Sequence, residues 1–316
     1  MTEEREMLRE TVAALVAKHA GPAAVRAAIE SERGYDESLW QLLCEQVGAA
    51  ALVVPEELGG AGGELADAAT VLQELGRALV PSPLLGTTLT EFALLAAAEP
   101  DAATLEALAE GTSIGALVLD PDYVVNGDIA DVVVASTDGR LSRWTQFTAE
   151  PVTAMDPTRR LARVQAQQTA DLGPDPGLAD IAAILLAAEQ IGTAERCLEL
   201  TVEYTKSRVQ FGRPIGSFQA LKHRMADLYV AVAAARAVVN DACDEPTTTN
   251  AATARLAATE ALNTVAAEGI QLHGGIAITW EHDMHLYFKR AHGSAQLLDP
   301  PRDLLRRLES EVLQQS

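Results

Sequence analysis

Residues 204–219 read YTKSRVQFGRPIGSFQ, and their pattern decides how the flanking chain is arranged. A helical stretch ends in basic residues at Lys206 and Arg208, a Gly/Pro loop reverses direction, and a new helix begins at Ser217. Upstream, Ile181, Leu185, Ala188, Ile191, Leu198 and Val202 recur at helical spacing through roughly 178–207. Downstream, amphipathic segments cover about 217–242 and 250–273, with shorter ones near 283–296 and 301–314. This spacing predicts a helix bundle. An Arg and a phenyl ring on a short rigid loop can grip a phosphate and cover a flat ring. Taken in isolation, the same loop reads as an interhelical hairpin with Phe211 in the core and Arg208 against an acid.

Up to about residue 112 the pattern is also helical. Leu8, Val12, Leu15 and Val16 share one face, and a second helix runs near Glu37–Val47. The Gly-rich turn VPEELGGAGG then leads into a helix from about Glu64 to Leu79, closed by Pro81 and Pro83. The runs at 114–120, 131–136 and 139–147 are short, β-branched or alternating, and read as strands. GPDPG at 173–177 reads as a linker. The expected organisation is a helical region over 1–112, a small β section over 113–172 and a helical region over 173–316.

Composition narrows the function without naming it. Alanine supplies 57 of 316 residues and aromatics only 4%, which suits closely packed helices because Ala loses no side-chain entropy there. The net charge of −21 argues against nucleic acid or an anionic membrane as partner. Cys44, Cys197 and Cys243 show no paired spacing, so neither a disulfide framework nor a zinc site is suggested. The N-terminal MTEEREMLRETVAALVAKHA starts acidic where a signal peptide starts basic, and no apolar run approaches the ~20 residues of a bilayer span. The expected compartment is the cytoplasm.

A second informative stretch is EGIQLHGGIAITWEHD, residues 268–283. Paired glycines after a helix admit close backbone approach and free N–H groups, and equally suit a plain helix cap and turn. Together, RVQFGRPIGSFQALKHRMADLYV and QLHGGIAITWEHDMHLYFKRA closely resemble the two signature stretches of the acyl-CoA dehydrogenase C-terminal domain. VPEELGGAGG is similar to that family's entry turn. The resemblance is strong over about 177–297, fair over 1–112 and poor between.

The resemblance implies a mainly α fold: an N-terminal helical domain, a middle β domain, reduced here, and a C-terminal four-helix bundle. It implies FAD as cofactor and α,β-dehydrogenation of an acyl-CoA. Residue by residue, it implies that Arg208, Gln210, Phe211, Gln219, Gln271, Gly274 and Gly275 hold the ADP half of an FAD bound by a neighbouring subunit. Guanidinium suits pyrophosphate, amides suit ribose and adenine edges, and glycine suits backbone approach.

The reaction of the family needs a carboxylate to take the α-proton. Its two customary positions fall here on Leu298 and Ala182, the latter beside Ala183 where an Arg is common. Neither Leu nor Ala accepts a proton, and the nearest acids are Asp299 and Glu189. The middle-domain segments that line the flavin ring in the family are missing. The chain therefore resembles the short β subunit of α2β2 acyl-CoA dehydrogenases of actinobacterial sterol catabolism. This implies no catalytic base in the chain, and a full-length α subunit that binds most of a sterol-derived acyl-CoA. The alternatives are a self-sufficient enzyme with a moved base and a non-enzymatic scaffold. His282 and His285 have metal-like spacing but no third ligand motif, and are expected to be structural, as is His273. Gly59–Gly63 does not follow a strand, so it is no dinucleotide fingerprint.

Overall fold

The computed structural model describes residues 2–298 and 300–315. The chain begins with six helices: α1 (Glu3–His19), α2 (Pro22–Glu30), α3 (Glu37–Leu42), α4 (Leu65–Arg77), α5 (Leu84–Leu95) and α6 (Ala102–Ala109). Local chemistry fixes several starts. The Thr2 hydroxyl accepts the Arg5 N–H, Asp36 accepts from Ser38 and Leu39, and Glu64 with Asp67 forms a reciprocal capping box. α3 widens into a π turn over Leu43–Val47 and stops at Gly48, whose φ is +67°.

Three of these helices escape the periodicity reading. α5 is buried at nearly every position, Thr87, Thr88, Thr90 and Glu91 included, so no apolar stripe stands out. α2 and α6 are too short to show two full repeats.

Strands β1 (Gly115–Val118), β2 (Val124–Val125), β3 (Val132–Thr137), β4 (Arg140–Val152) and β5 (Leu161–Pro174) form one sheet in the order β1-β3-β4-β5-β2. Only the β1–β3 pair is parallel. The edges β1 and β2 lie close together, so the sheet curls around Ala116, Val118, Val124, Val133, Ala135, Ala162 and Val164. Beyond its neighbours the β4–β5 pair continues as a bulged two-stranded ribbon, and Gln165–Asp171 is exposed throughout. β5 therefore lacks the alternation that marks β1, β3 and β4 in the sequence, and the two-residue β2 is too short to show any. It also runs through Gly173 and Pro174, which shortens the expected linker.

The second helical set is α7 (Leu178–Ser207), α8 (Gln219–Asp244), α9 (Thr248–His273), α10 (Met284–Gln296) and α11 (Pro301–Gln315). α7 packs on α8, α9 and α10, and α11 lies on α9. α4 runs against α7 so closely that a Cβ at Gly192 would lie 1.8 Å from the Gln73 carbonyl oxygen, and one at Gly76 would lie 2.3 Å from that of Glu189. Only glycine permits that approach. One continuous core joins the N-terminal helices, Val132, Val134 and Leu141 of the sheet, and the bundle. Among the described residues no single helix is long and apolar enough to cross a membrane.

Candidate functional site

The Arg208 segment grows directly out of the last turn of α7. The Tyr204 carbonyl accepts the Arg208 N–H at 2.8 Å and the Ser207 hydroxyl at 3.0 Å, and the Arg208 carbonyl accepts the Ile215 N–H at 2.8 Å. Between them β6 (Val209–Gln210) pairs with β7 (Arg213–Pro214) across the two-residue turn Phe211–Gly212. Both turn residues are left-handed, at φ +53° and +76°. That turn favours Asn-Gly, and a phenylalanine in its first place is strained by roughly 1–2 kcal/mol. Strain of this kind persists where something else requires the side chain.

The ring does not enter the core. Phe211 is 92% exposed, with Phe218 edge-on at 6.3 Å and the Arg213 guanidinium 3.9 Å from the Phe218 centroid. Arg208 is exposed, and its side chain makes no ion pair or hydrogen bond among the described residues. Both halves of the isolated-hairpin reading are thus overturned: the ring is in solvent and the guanidinium meets no acid.

α9 ends one residue before Gly274, whose φ of +67° turns the chain out of the helix. A Cβ at Gly274 or Gly275 would meet nothing within 4 Å, so the backbone there is open to an approaching group. Gln271 is exposed on the last turn of α9, and Gln219 on the first turn of α8. The two segments meet where the Tyr204 ring stacks on the His273 ring at 4.2 Å. Arg208, Gln210, Phe211, Gln219, Gln271, Gly274 and Gly275, on the two segments so joined, are all exposed. The local charge is also unusual. From Tyr204 to Ala226 the chain carries Lys206, Arg208, Arg213, Lys222 and Arg224 and no acid, although it holds 45 acids against 24 bases in all. An anion is favoured here in an otherwise acidic molecule.

The positions customary for a base remain without one. Ala182 and Ala183 are buried on α7, and Leu298 is half-buried with φ +68°. Asp299 lies outside the described residues. Glu189 is buried in an ion-pair cluster: Arg159 Nη2 lies 2.6 Å from its Oε2, and Arg290 binds its Oε1. Arg290 also reaches Asp156 at 2.8 Å. Burial alone pushes the Glu189 carboxyl up, but Arg159 and Arg290 outweigh it and hold the group below the usual carboxylate range. A base poised near neutrality needs the opposite shift.

His282 and His285 sit in separate ring contacts. His282 lies 4.8 Å from His273, centroid to centroid, whereas His285 stacks on Trp280 at 5.0 Å, so the two do not converge. Among the described residues no group of three ligands suits a metal. All three cysteines are free, and burial pushes each thiol up to about 12. Sequence reasoning missed the Tyr204–His273–His282 cluster, whose only signal was three aromatic residues flanking the two motifs.

Known proteins align with this arrangement. Residues 2–111 match the acyl-CoA dehydrogenase N-terminal domain and residues 177–297 the acyl-CoA dehydrogenase C-terminal domain. The chain is 83% identical to the acyl-CoA dehydrogenase IpdE2 of Mycobacterium tuberculosis over 98% of both chains. Among solved structures it is similar to the Tcur3481-Tcur3483 steroid ACAD, at TM-score 0.89 and 26% identity over 99% of this chain and 98% of that one. It is similar to a chain of the ChsE4-ChsE5 complex of Mycobacterium tuberculosis, at TM-score 0.87 and 25% identity, again over 99% and 98%. With both helical regions matched and a curated relative 83% identical over nearly the whole chain, the chain belongs to the acyl-CoA dehydrogenase family.

Proposed function

We propose that this chain is the β subunit of a heteromeric FAD-dependent acyl-CoA dehydrogenase, supplying half of a flavin site to a full-length α subunit and no catalytic base. The observation that carries the flavin half-site is the exposed pair Arg208 and Phe211 beside the open Gly274–Gly275 turn, with no acid on the Arg208 guanidinium among the described residues. A self-sufficient member would present the same loop to a neighbour's flavin, so it is Ala182 and Leu298 at the customary base positions that favour a non-catalytic β subunit. The donors suit FAD: Arg208 for the pyrophosphate, Gln210, Gln219 and Gln271 for hydroxyl and base edges, and the glycines for backbone contact. FAD, when bound, supplies the electron acceptor of the dehydrogenation. The α subunit supplies the carboxylate that Ala182 and Leu298 cannot.

Two similar structures carry two-component names, one of them a steroid ACAD, which supports an α2β2 assembly acting on a sterol-derived CoA thioester. The three free thiols support a reducing, cytoplasmic setting. The helix–sheet–helix order supports division at 1–112, 113–172 and 173–316.

The test is co-expression with a full-length homologue that retains the glutamate, followed by flavin absorbance and mass. The expected result is a colourless chain alone and a yellow α2β2 complex with about two flavins, one for each complete site. Stoichiometric flavin in the isolated chain, or four per tetramer, overturns the assignment.

A further inference from the structure

Two loops separated by more than fifty residues must present one cofactor surface, and a single cluster of rings joins them. Tyr204 anchors the start of the first loop, its carbonyl accepting the Arg208 N–H at 2.8 Å. Its ring stacks on His273 at 4.2 Å with 24° between planes, and its hydroxyl donates to the His273 carbonyl at 3.2 Å. His273 is the last residue of α9 and immediately precedes Gly274. His282 closes the cluster from the far side of the Gly turn, 4.8 Å from His273 and edge-on to Tyr204 at 6.5 Å.

The hydrogen bonds orient both imidazoles. His273 Nδ1 lies 2.8 Å from the Gly269 carbonyl and so donates, while His282 Nδ1 accepts the Met284 N–H at 3.1 Å. Burial lowers the affinity of His273 for a second proton, with the neighbouring His282 adding to the effect against the Gly269 hydrogen bond. Each ring is therefore held on two sides. No atom of Tyr204 or His282 comes within 4 Å of a Cβ placed at Gly274 or Gly275.

We propose that Tyr204, His273 and His282 are positioning residues that keep the Arg208 hairpin in register with the Gly274–Gly275 turn, so that both contact one FAD. This rests on the cross-subunit flavin reading above. The cluster acts through the loops: removing one ring leaves every flavin donor present but no longer fixed relative to the others. Preorganised donors bind more tightly than the same donors left to find their places.

The experiment titrates FAD into the flavin-stripped α/β complex and follows its melting temperature in parallel. His282→Ala is expected to weaken FAD roughly three- to tenfold, the range of one aromatic contact, with little change in melting temperature. His282→Phe, which keeps a ring, should recover most of the affinity. In the double variant with Arg208→Ala the combined loss should fall at least about twofold short of the product of the single losses, since a displaced Arg208 no longer counts fully. If His282→Ala does not assemble, Tyr204→Leu removes the stack from the other side and should give the same affinity loss. Affinity within about twofold of wild type in His282→Ala or Tyr204→Leu, or fully multiplicative losses, would overturn the positioning role. Unchanged affinity in Arg208→Ala alone would instead remove the flavin reading beneath it, so the two failures are distinguishable.

Discussion

Arg208 is the residue on which the functional reading most depends. Its guanidinium is exposed and pairs with nothing among the described residues, so its removal should cost the chain itself almost nothing. Against a pyrophosphate it makes a charge-assisted contact worth about 1.5–3 kcal/mol. Arg208→Ala should therefore weaken FAD binding by the complex roughly 10- to 150-fold while leaving the melting temperature of the isolated chain unchanged. Arg208→Lys should recover only part, because a point charge cannot reproduce a planar fork. FAD titration of the stripped complex, with melting followed alongside, decides it. Wild-type affinity in the Ala variant would defeat the assignment.

At the scale of the element, the β6–β7 hairpin sets stability against function. Phe211 occupies a left-handed turn position and exposes a ring that folding could have buried. Phe211→Asn meets the backbone demand and removes the exposed ring. It should stabilise the isolated chain by about 1 kcal/mol, raising its melting temperature by about 1–2 °C for a chain of this length. The same variant should hold FAD several-fold less tightly in the complex, through loss of one aromatic contact. Calorimetry of the single chain and flavin titration of the complex should thus move in opposite directions. A variant that loses stability would show that the turn is not strained. The bundle elements follow from their sequence: α7, α9 and α10 lie within about two residues of where their periodicity puts them. α5 and β5 do not, for opposite reasons. α5 is buried on all sides, and β5 is held by its pairing with β4 with little burial of its own.

For the whole molecule, the Asp156–Arg290–Glu189–Arg159 cluster ties the loop between β4 and β5 to α7 and α10. Glu189→Gln would leave two buried guanidiniums short of a counter-charge, and should destabilise the fold by about 3–5 kcal/mol. Turnover per bound flavin should stay within roughly tenfold, against the 10²–10⁴-fold expected of a lost base. Because the Glu189 carboxyl is held below its ordinary 4.5, its contribution is fully present above that pH and is lost as pH falls through the lower folded value. Acid unfolding of the wild type below about pH 4.5 should thus be steeper than in the variant, by circular dichroism against pH. A collapse in turnover with normal flavin content would return Glu189 to the catalytic role. The residues at which chemistry is missing needed no fold to be read: alanine at 182 and leucine at 298 cannot accept a proton in any conformation. The long helices and the two motifs were likewise legible, since side chains three and four apart fix a face locally. Only the tertiary structure decided that Phe211 faces solvent, that Arg208 is free, and that Glu189 is held by Arg159 and Arg290. Each of those depends on what distant chain lies alongside, and adjacency between residues thirty to a hundred positions apart is set by packing rather than by any local pattern.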